Sequence, residues 1–166
     1  KKILNEAQTL SNFLEGVQAL AKNHGALFIL DETITGFRFS KGGAQELFNV
    51  SPDIATFGKG LSNGYPLSAI AGRADIMRLM EDIFFSFTMG SETLSLAAAS
   101  ATLKKINREP VIEQLKENGD QVISGVRNRI TQYGVQHIFS VSGHPSWSFL
   151  NIKDVDPYNN WEIRTY

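Results

Sequence analysis

The sequence has no cysteine, and that removes two classes of chemistry at once. No disulfide can staple this chain, and no thiolate can bind a metal or attack a substrate. A reducing, cytoplasmic setting is compatible with that lack. The three histidines, His24, His137 and His144, are scattered, without the spacing of a metal site. Charge of one sign is also missing: 16 basic residues face 17 acidic ones, for a net charge of −1. No broad basic face for nucleic acid is expected. No apolar run reaches the 18 or so residues of a membrane span, and no charged-then-apolar leader opens the chain. What remains is an ordinary globular composition, 42% apolar and 20% charged, over 166 residues.

The pattern along the chain alternates helix and strand. Leu10, Phe13, Leu14, Val17, Leu20 and Ala21 recur at helical spacing over residues 5 to 24, and Gly25 is placed to end that helix. Ala26-Leu27-Phe28-Ile29-Leu30 then forms a short apolar run of the kind buried on both faces in parallel sheets. Residues 31 to 43 read as a loop, Ile54 to Phe57 as a second short strand, and Leu67 to Ala71 as a third. A short helix is expected from Ala74 to Met80 and a fourth strand from Phe84 to Phe87. Ser91 opens an alanine-rich helix across Leu94 to Ile106. Pro110 starts another, with Ile112, Leu115, Gly119, Val122, Val126, Ile130 and Tyr133 on one stripe and Gly134 at its end. Residues 147 to 152 alternate as a strand. Helix, glycine and buried strand in succession make an α/β fold. The ends, Lys1-Lys2 and Trp161 to Tyr166, both read as interior sequence, so the chain is expected to be a piece of a longer one.

Four groups are candidates for chemistry. Asp31 follows the first apolar run directly, and in α/β sheets ligands gather at the carboxyl ends of strands. Lys59 stands two residues past the second run, within reach of the same edge. A lysine enclosed by apolar groups gives up its proton readily and becomes a Schiff-base nucleophile. Spacing alone favours the plainer reading, a surface ion pair between two loops. Thr88 precedes the alanine-rich helix, where a hydroxyl and free amides can hold an anion; Ser91 is expected to cap that helix, which does not exclude an anion there. Arg38 could clamp a substrate carboxylate or merely brace its glycine-rich loop. Other sites are excluded. Gly58-Lys59 is no nucleotide loop, because positions 53 and 60 are Asp53 and Gly60. Glu32 points away from Asp31 if the strand continues, which argues against a paired-carboxylate glycosidase.

The order of these pieces resembles the class III aminotransferases, pyridoxal-phosphate enzymes of fold type I. Leu30-Asp31-Glu32-Thr33-Ile34-Thr35-Gly36-Phe37-Arg38 is similar to that family's cofactor-aspartate motif. The run from Pro52 through Lys59 to Gly60, continued by Asn63-Gly64-Tyr65-Pro66, resembles its lysine motif, and Thr88-Met89-Gly90-Ser91 stands where the family keeps a phosphate threonine. The likeness extends from about residue 13 to residue 152. Gly42-Gly43-Ala44-Gln45 is similar to the glutamate-1-semialdehyde 2,1-aminomutase branch in particular. Ser62 to Pro66 and the stretch after Thr88 look closer to transaminases.

The resemblance implies an α/β, three-layer large domain with a mostly parallel sheet flanked by helices. Residues 1–140 would be the C-terminal part of that cofactor-binding domain and residues 141–166 the start of a small C-terminal domain. It implies pyridoxal 5′-phosphate as cofactor, with Lys59 as the Schiff-base and proton-transferring residue. Asp31 would pair with the pyridine nitrogen. Thr33, where the family usually has valine, would pack on the ring, and Thr88 would reach the phosphate in a neighbouring subunit of a homodimer. The reaction implied is amino transfer from a small-molecule donor to a keto or aldehyde acceptor, or alternatively the aminomutase's internal shift. A further alternative is that the chain alone is a truncated, non-catalytic fragment. No nucleic acid, membrane or metal partner is implied.

Overall fold

The computed structural model describes residues 7–84 and 86–153. The expected element at Trp161 to Tyr166 lies outside them, as do the side chain of Leu10 and the residue Phe85. One compact unit covers Glu6–Glu113, and another takes up the chain from Gln114.

In the first unit, α1 spans Ala7–Asn23 and ends where expected. Gly25 adopts φ +65°, and the Ala26 amide turns back to donate to the Ala21 carbonyl at 2.9 Å. β1 is short, Ile29–Asp31, and pairs in parallel with β2, Ile54–Phe57, so that Asp31 lies opposite Thr56. β3, Ala69–Gly72, runs antiparallel to β2, giving the order β1-β2-β3. The strand pattern anticipated β3, but nothing in its composition set its direction. The apolar run before Asp31 is not buried on both faces here: Ile29 is 57% exposed among the described residues. The core instead gathers Phe28, Ala44, Phe48, Val50, Ala55, Leu61, Ala99 and Ile106.

Residues 31 to 43 do not stay a loop to their end, because a five-residue helix, α2, forms over Gly43–Leu47. The helix expected from Ala74 to Met80 divides into α3, Ala74–Met77, and a tighter turn over Arg78–Asp82. No strand forms at Phe84, Ser86 or Phe87 among the described residues. α4 runs Thr93–Arg108, and its cap is Glu92 rather than Ser91. The Glu92 carboxylate accepts from the Leu94 and Ser95 amides at 2.8 and 2.6 Å, while Ser91 sits in a turn at φ +62°. The buried seam of α4 is Ser95, Ala99 and Ile106, so only one alanine of the run Ala97-Ala98-Ala99 packs inward.

The amino end of the sheet is held by Asp53. Its Oδ2 accepts from the Phe28 amide at 2.8 Å, and its Oδ1 accepts from Arg73 at 2.8 Å. Its own amide and carbonyl bond Phe28 and Arg73, so one residue ties together the chain at all three strands. The Phe28 amide, followed by Arg73, holds the Asp53 carboxyl below the usual aspartate range. A depressed carboxyl stabilises the fold above the unfolded value near 3.8, and that contribution disappears as pH falls through the folded value. The urea midpoint is therefore expected to drop on acidification below the usual aspartate range. Asp53→Asn should lower the midpoint at neutral pH and flatten its acid limb. An unaltered acid limb in the variant would show that Asp53 carries none of it.

In the second unit, α5, which begins at Val111 and ends at Gln132, is closed by Gly134 at φ +67°. The expected stripe holds at Ile112, Gly119, Val126 and Ile130, which are buried or half-buried. Ile123 is buried, whereas Val122 and Tyr133 are 62% and 70% exposed. Gly119 is required for close approach, since a methyl group there would collide with the Pro145 carbonyl. β4, Phe139–His144, and β5, Trp147–Ile152, form an antiparallel hairpin, with the Trp147 and Phe149 rings 5.3 Å apart. No helix among the described residues is long and apolar enough to cross a membrane.

Candidate active site

The candidate site is built at the carboxyl ends of β1 and β2. Because these strands are parallel neighbours, the residues that leave them, Asp31 and Lys59, emerge at one edge. Asp31 is the last residue of β1. Its Oδ1 accepts from the Thr33 amide at 2.9 Å and from the Thr56 hydroxyl at 2.9 Å. Both hydrogen bonds favour the ionised form. The Thr33 hydroxyl beside the carboxyl, then these two donors, and finally the positive charge of Lys59 hold Asp31 below the usual carboxylate range. Lys59 is the last and smallest of these influences.

Lys59 opens a tight 3-10 turn, Lys59–Leu61, after Gly58. Its φ is +43°, a left-handed backbone that is rare for a residue with a side chain. The turn is closed by the Leu61 amide on the Gly58 carbonyl and the Asn63 amide on the Lys59 carbonyl, and α4 packs against it. The Lys59 side chain is exposed, so the apolar enclosure expected for it is not supplied by the described residues. Thr33 lies against this turn: a methyl group added at Gly58 would sit 3.3 Å from Thr33 Cγ2.

Arg38 and Thr88 are the two remaining candidates. Arg38 braces its loop, donating from Nε to the Ile34 carbonyl at 3.0 Å. Thr88 is exposed in the turn before α4. The α4 amides it was to share with an anion are taken by Glu92, whose carboxylate would repel one. Any phosphate contact there rests on Thr88 itself rather than on the helix end.

The residue that spacing most undervalued is Glu32. It does turn away from Asp31, and it is fully buried. Its carboxylate accepts from the Ala44 and Gln45 amides at 2.9 and 2.8 Å and from the Thr35 hydroxyl. It thereby caps α2 and pins the segment that follows β1. A side chain at Gly43, where φ is +78°, would press on that carboxylate, 2.7 Å away. Neighbouring acids therefore divide the work: Glu32 fixes the backbone, and Asp31 is left facing outward.

This donor set fits a pyridoxal ring. A carboxylate kept ionised by two threonines can accept a pyridinium N–H through Oδ2, and a primary amine follows the neighbouring strand at the same edge. Among the described residues no cluster of His, Asp or Glu could hold a metal ion.

Comparison with known proteins agrees. Residues 7–150 match the profile of the family described as aminotransferase class-III. The chain is 38% identical over 147 residues to the glutamate-1-semialdehyde 2,1-aminomutase of Rhodopirellula baltica, covering 87% of this chain and 34% of that protein. It is 36% identical to the same enzyme of Aquifex aeolicus, over 86% of this chain and 34% of that one. Among solved structures, the fold is similar to the pyridoxal-phosphate internal aldimine form of Sphingopyxis sp. MTA144 FumI protein, with a TM-score of 0.80 at 25% identity, covering 87% of this chain and 34% of that one. Ornithine aminotransferase from Plasmodium yoelii gives a TM-score of 0.73 at 27% identity, covering 86% and 38%. The chain spans about a third of the length of the relatives it matches.

Proposed function

This chain belongs to the class-III aminotransferase family, and on that premise we propose that it carries the covalent centre of a pyridoxal-5′-phosphate enzyme that transfers amino groups. The observation that supports the reading is that Asp31 and Lys59 follow adjacent parallel strands and leave them at the same edge of the sheet. When bound, the cofactor supplies an aldehyde for a Schiff base and a ring that withdraws electrons. Asp31 would keep the ring nitrogen protonated by accepting its N–H. The Lys59 amine would hold the aldehyde and, once released, move a proton at the substrate α-carbon. Thr33 would pack on the ring face from the edge of this turn. Thr88 would donate to a phosphate in a neighbouring subunit of a homodimer.

Under this reading residues 1–140 belong to the cofactor-binding large domain and residues 141–166 begin a small domain. The substrates are a small amino donor and a keto or aldehyde acceptor, and the setting is the cytoplasm. The test is borohydride reduction of the holoenzyme followed by peptide mapping. A pyridoxyl group on Lys59 is expected; one on any other lysine sinks the reading.

A second reading, the internal amino shift of an aminomutase, is favoured by the names of the 36–38% identical relatives. Glutamate-1-semialdehyde supplied alone, against an amino donor with a keto acceptor, separates the two. The 166-residue chain by itself is proposed to bind cofactor weakly, because it leaves apolar residues such as Phe84 (95% exposed) and Ile29 uncovered.

A further inference from the structure

We propose that Thr56 is a positioning residue for the reaction, its hydroxyl fixing the rotamer of Asp31 so that one carboxylate oxygen is held and the other is presented to the cofactor's ring nitrogen. The proposal rests on the function proposed above and adds a residue to it. Thr56 lies on β2, directly opposite Asp31 in the parallel register, and β1 and β2 are neighbours in the sheet. Its Oγ1 donates to Asp31 Oδ1 at 2.9 Å, the same oxygen that accepts from the Thr33 amide at 2.9 Å. Two donors from different directions on a single oxygen leave the carboxyl group little freedom to rotate. The Thr33 amide and hydroxyl both act on this carboxyl, but they belong to the turn that Asp31 itself begins, whereas Thr56 holds it from the neighbouring strand.

The backbone of Thr56 is fixed independently of its hydroxyl. Its carbonyl accepts from the Glu32 amide at 2.9 Å, and the residue pairs with Ile70 on β3. Thr56 also lies three positions before Lys59, on the strand that delivers the lysine. The Thr56–Asp31 bond is thus a side-chain tie between the strand of the acid and the strand of the amine. The charged group that shares this edge is Lys59, and it too favours the ionised carboxylate.

The test compares Thr56→Val, which keeps shape and strand preference but loses the donor, with Thr56→Ser, which keeps the donor. In the cofactor-free chain, the Asp31 carboxyl carbon is followed by NMR as a function of pH. Thr56→Val should move its midpoint upward, and Thr56→Ser should leave it near that of the unaltered chain. In the unaltered chain the Thr56 Cβ signal should titrate together with Asp31, a measurement that stands even if the valine variant fails to fold. In the holoenzyme the cofactor dissociation constant should rise roughly fivefold for valine and little for serine. An Asp31 midpoint unmoved by valine, or a Thr56 signal indifferent to the Asp31 titration, overturns the proposal. If those results come with an intact borohydride adduct on Lys59, the proposed function survives and only the role of Thr56 is lost.

Discussion

Lys59→Ala should yield a protein that folds and retains pyridoxal phosphate without covalent capture, and that has lost amino transfer by about four orders of magnitude or more. Two things disappear with that side chain: the amine that condenses with the aldehyde, and the base that moves the α-proton. No neighbour can substitute for both, because the geometry is set by a single residue in a left-handed turn at φ +43°. Folding should be spared, since the side chain is exposed and the turn is closed by backbone bonds from Leu61 and Asn63. Lys59→Arg is the sharper control. It keeps the charge that acts on Asp31, but a guanidinium has no neutral amine to offer near neutral pH. Both variants should fail to give a borohydride-stable adduct while differing in the titration of Asp31, which alanine alone shifts upward. A stable adduct in either variant would place the covalent site elsewhere.

Glu32→Ala should destabilise the fold by roughly 3–5 kcal/mol, more than any substitution at the exposed edge of the site. The carboxylate is fully buried and receives two backbone amides and a hydroxyl. Its removal strands the Ala44 and Gln45 amides and the Thr35 hydroxyl, each at about 1–3 kcal/mol, less whatever water repairs. Glu32→Gln should lose roughly half as much, because one carbonyl oxygen survives while the new NH2 faces an N–H donor. Gly43→Ala should act on the same contact from the other side, since its methyl would press against the carboxylate at an unfavourable φ of +78°. Urea unfolding at neutral pH reads all three. A loss under 1 kcal/mol for Glu32→Ala would mean that α2 and its loop are held by something else.

The fold class was legible in the alternation of helix and short apolar strand, and the family in the motifs around Asp31 and Lys59. Asp31 and Lys59 stand out as candidates because each follows a short apolar run, and strand ends are readable from composition. Thr56 and Glu32 do not, since their importance depends on which strand lies alongside and on where a distant backbone folds back. The Ala44 and Gln45 amides that Glu32 caps are a dozen residues away. Ser91 looked like the better helix cap by residue type, but its φ of +62° places it outside the capping geometry, and Glu92 takes the amides. On α5 the expected stripe rightly places Ile112, Gly119, Val126 and Ile130 inward, but it includes the exposed Val122 and misses Ile123, one position and about 100° away around the helix. β4 escaped notice because Gly143 and His144 interrupt its apolar alternation, and its partner β5 supplies the register that its own residues do not.

Asp31 and Glu32 are consecutive carboxylic acids, the one open to solvent and the other sealed from it. A water-soluble carbodiimide with an added amine would consequently label the first and spare the second, although nothing in the residue types themselves distinguishes them. That selectivity gives a chemical handle on one atom of the site without any change in the gene, and loss of the selectivity on mild heating would report the moment at which the segment behind β1 comes undone.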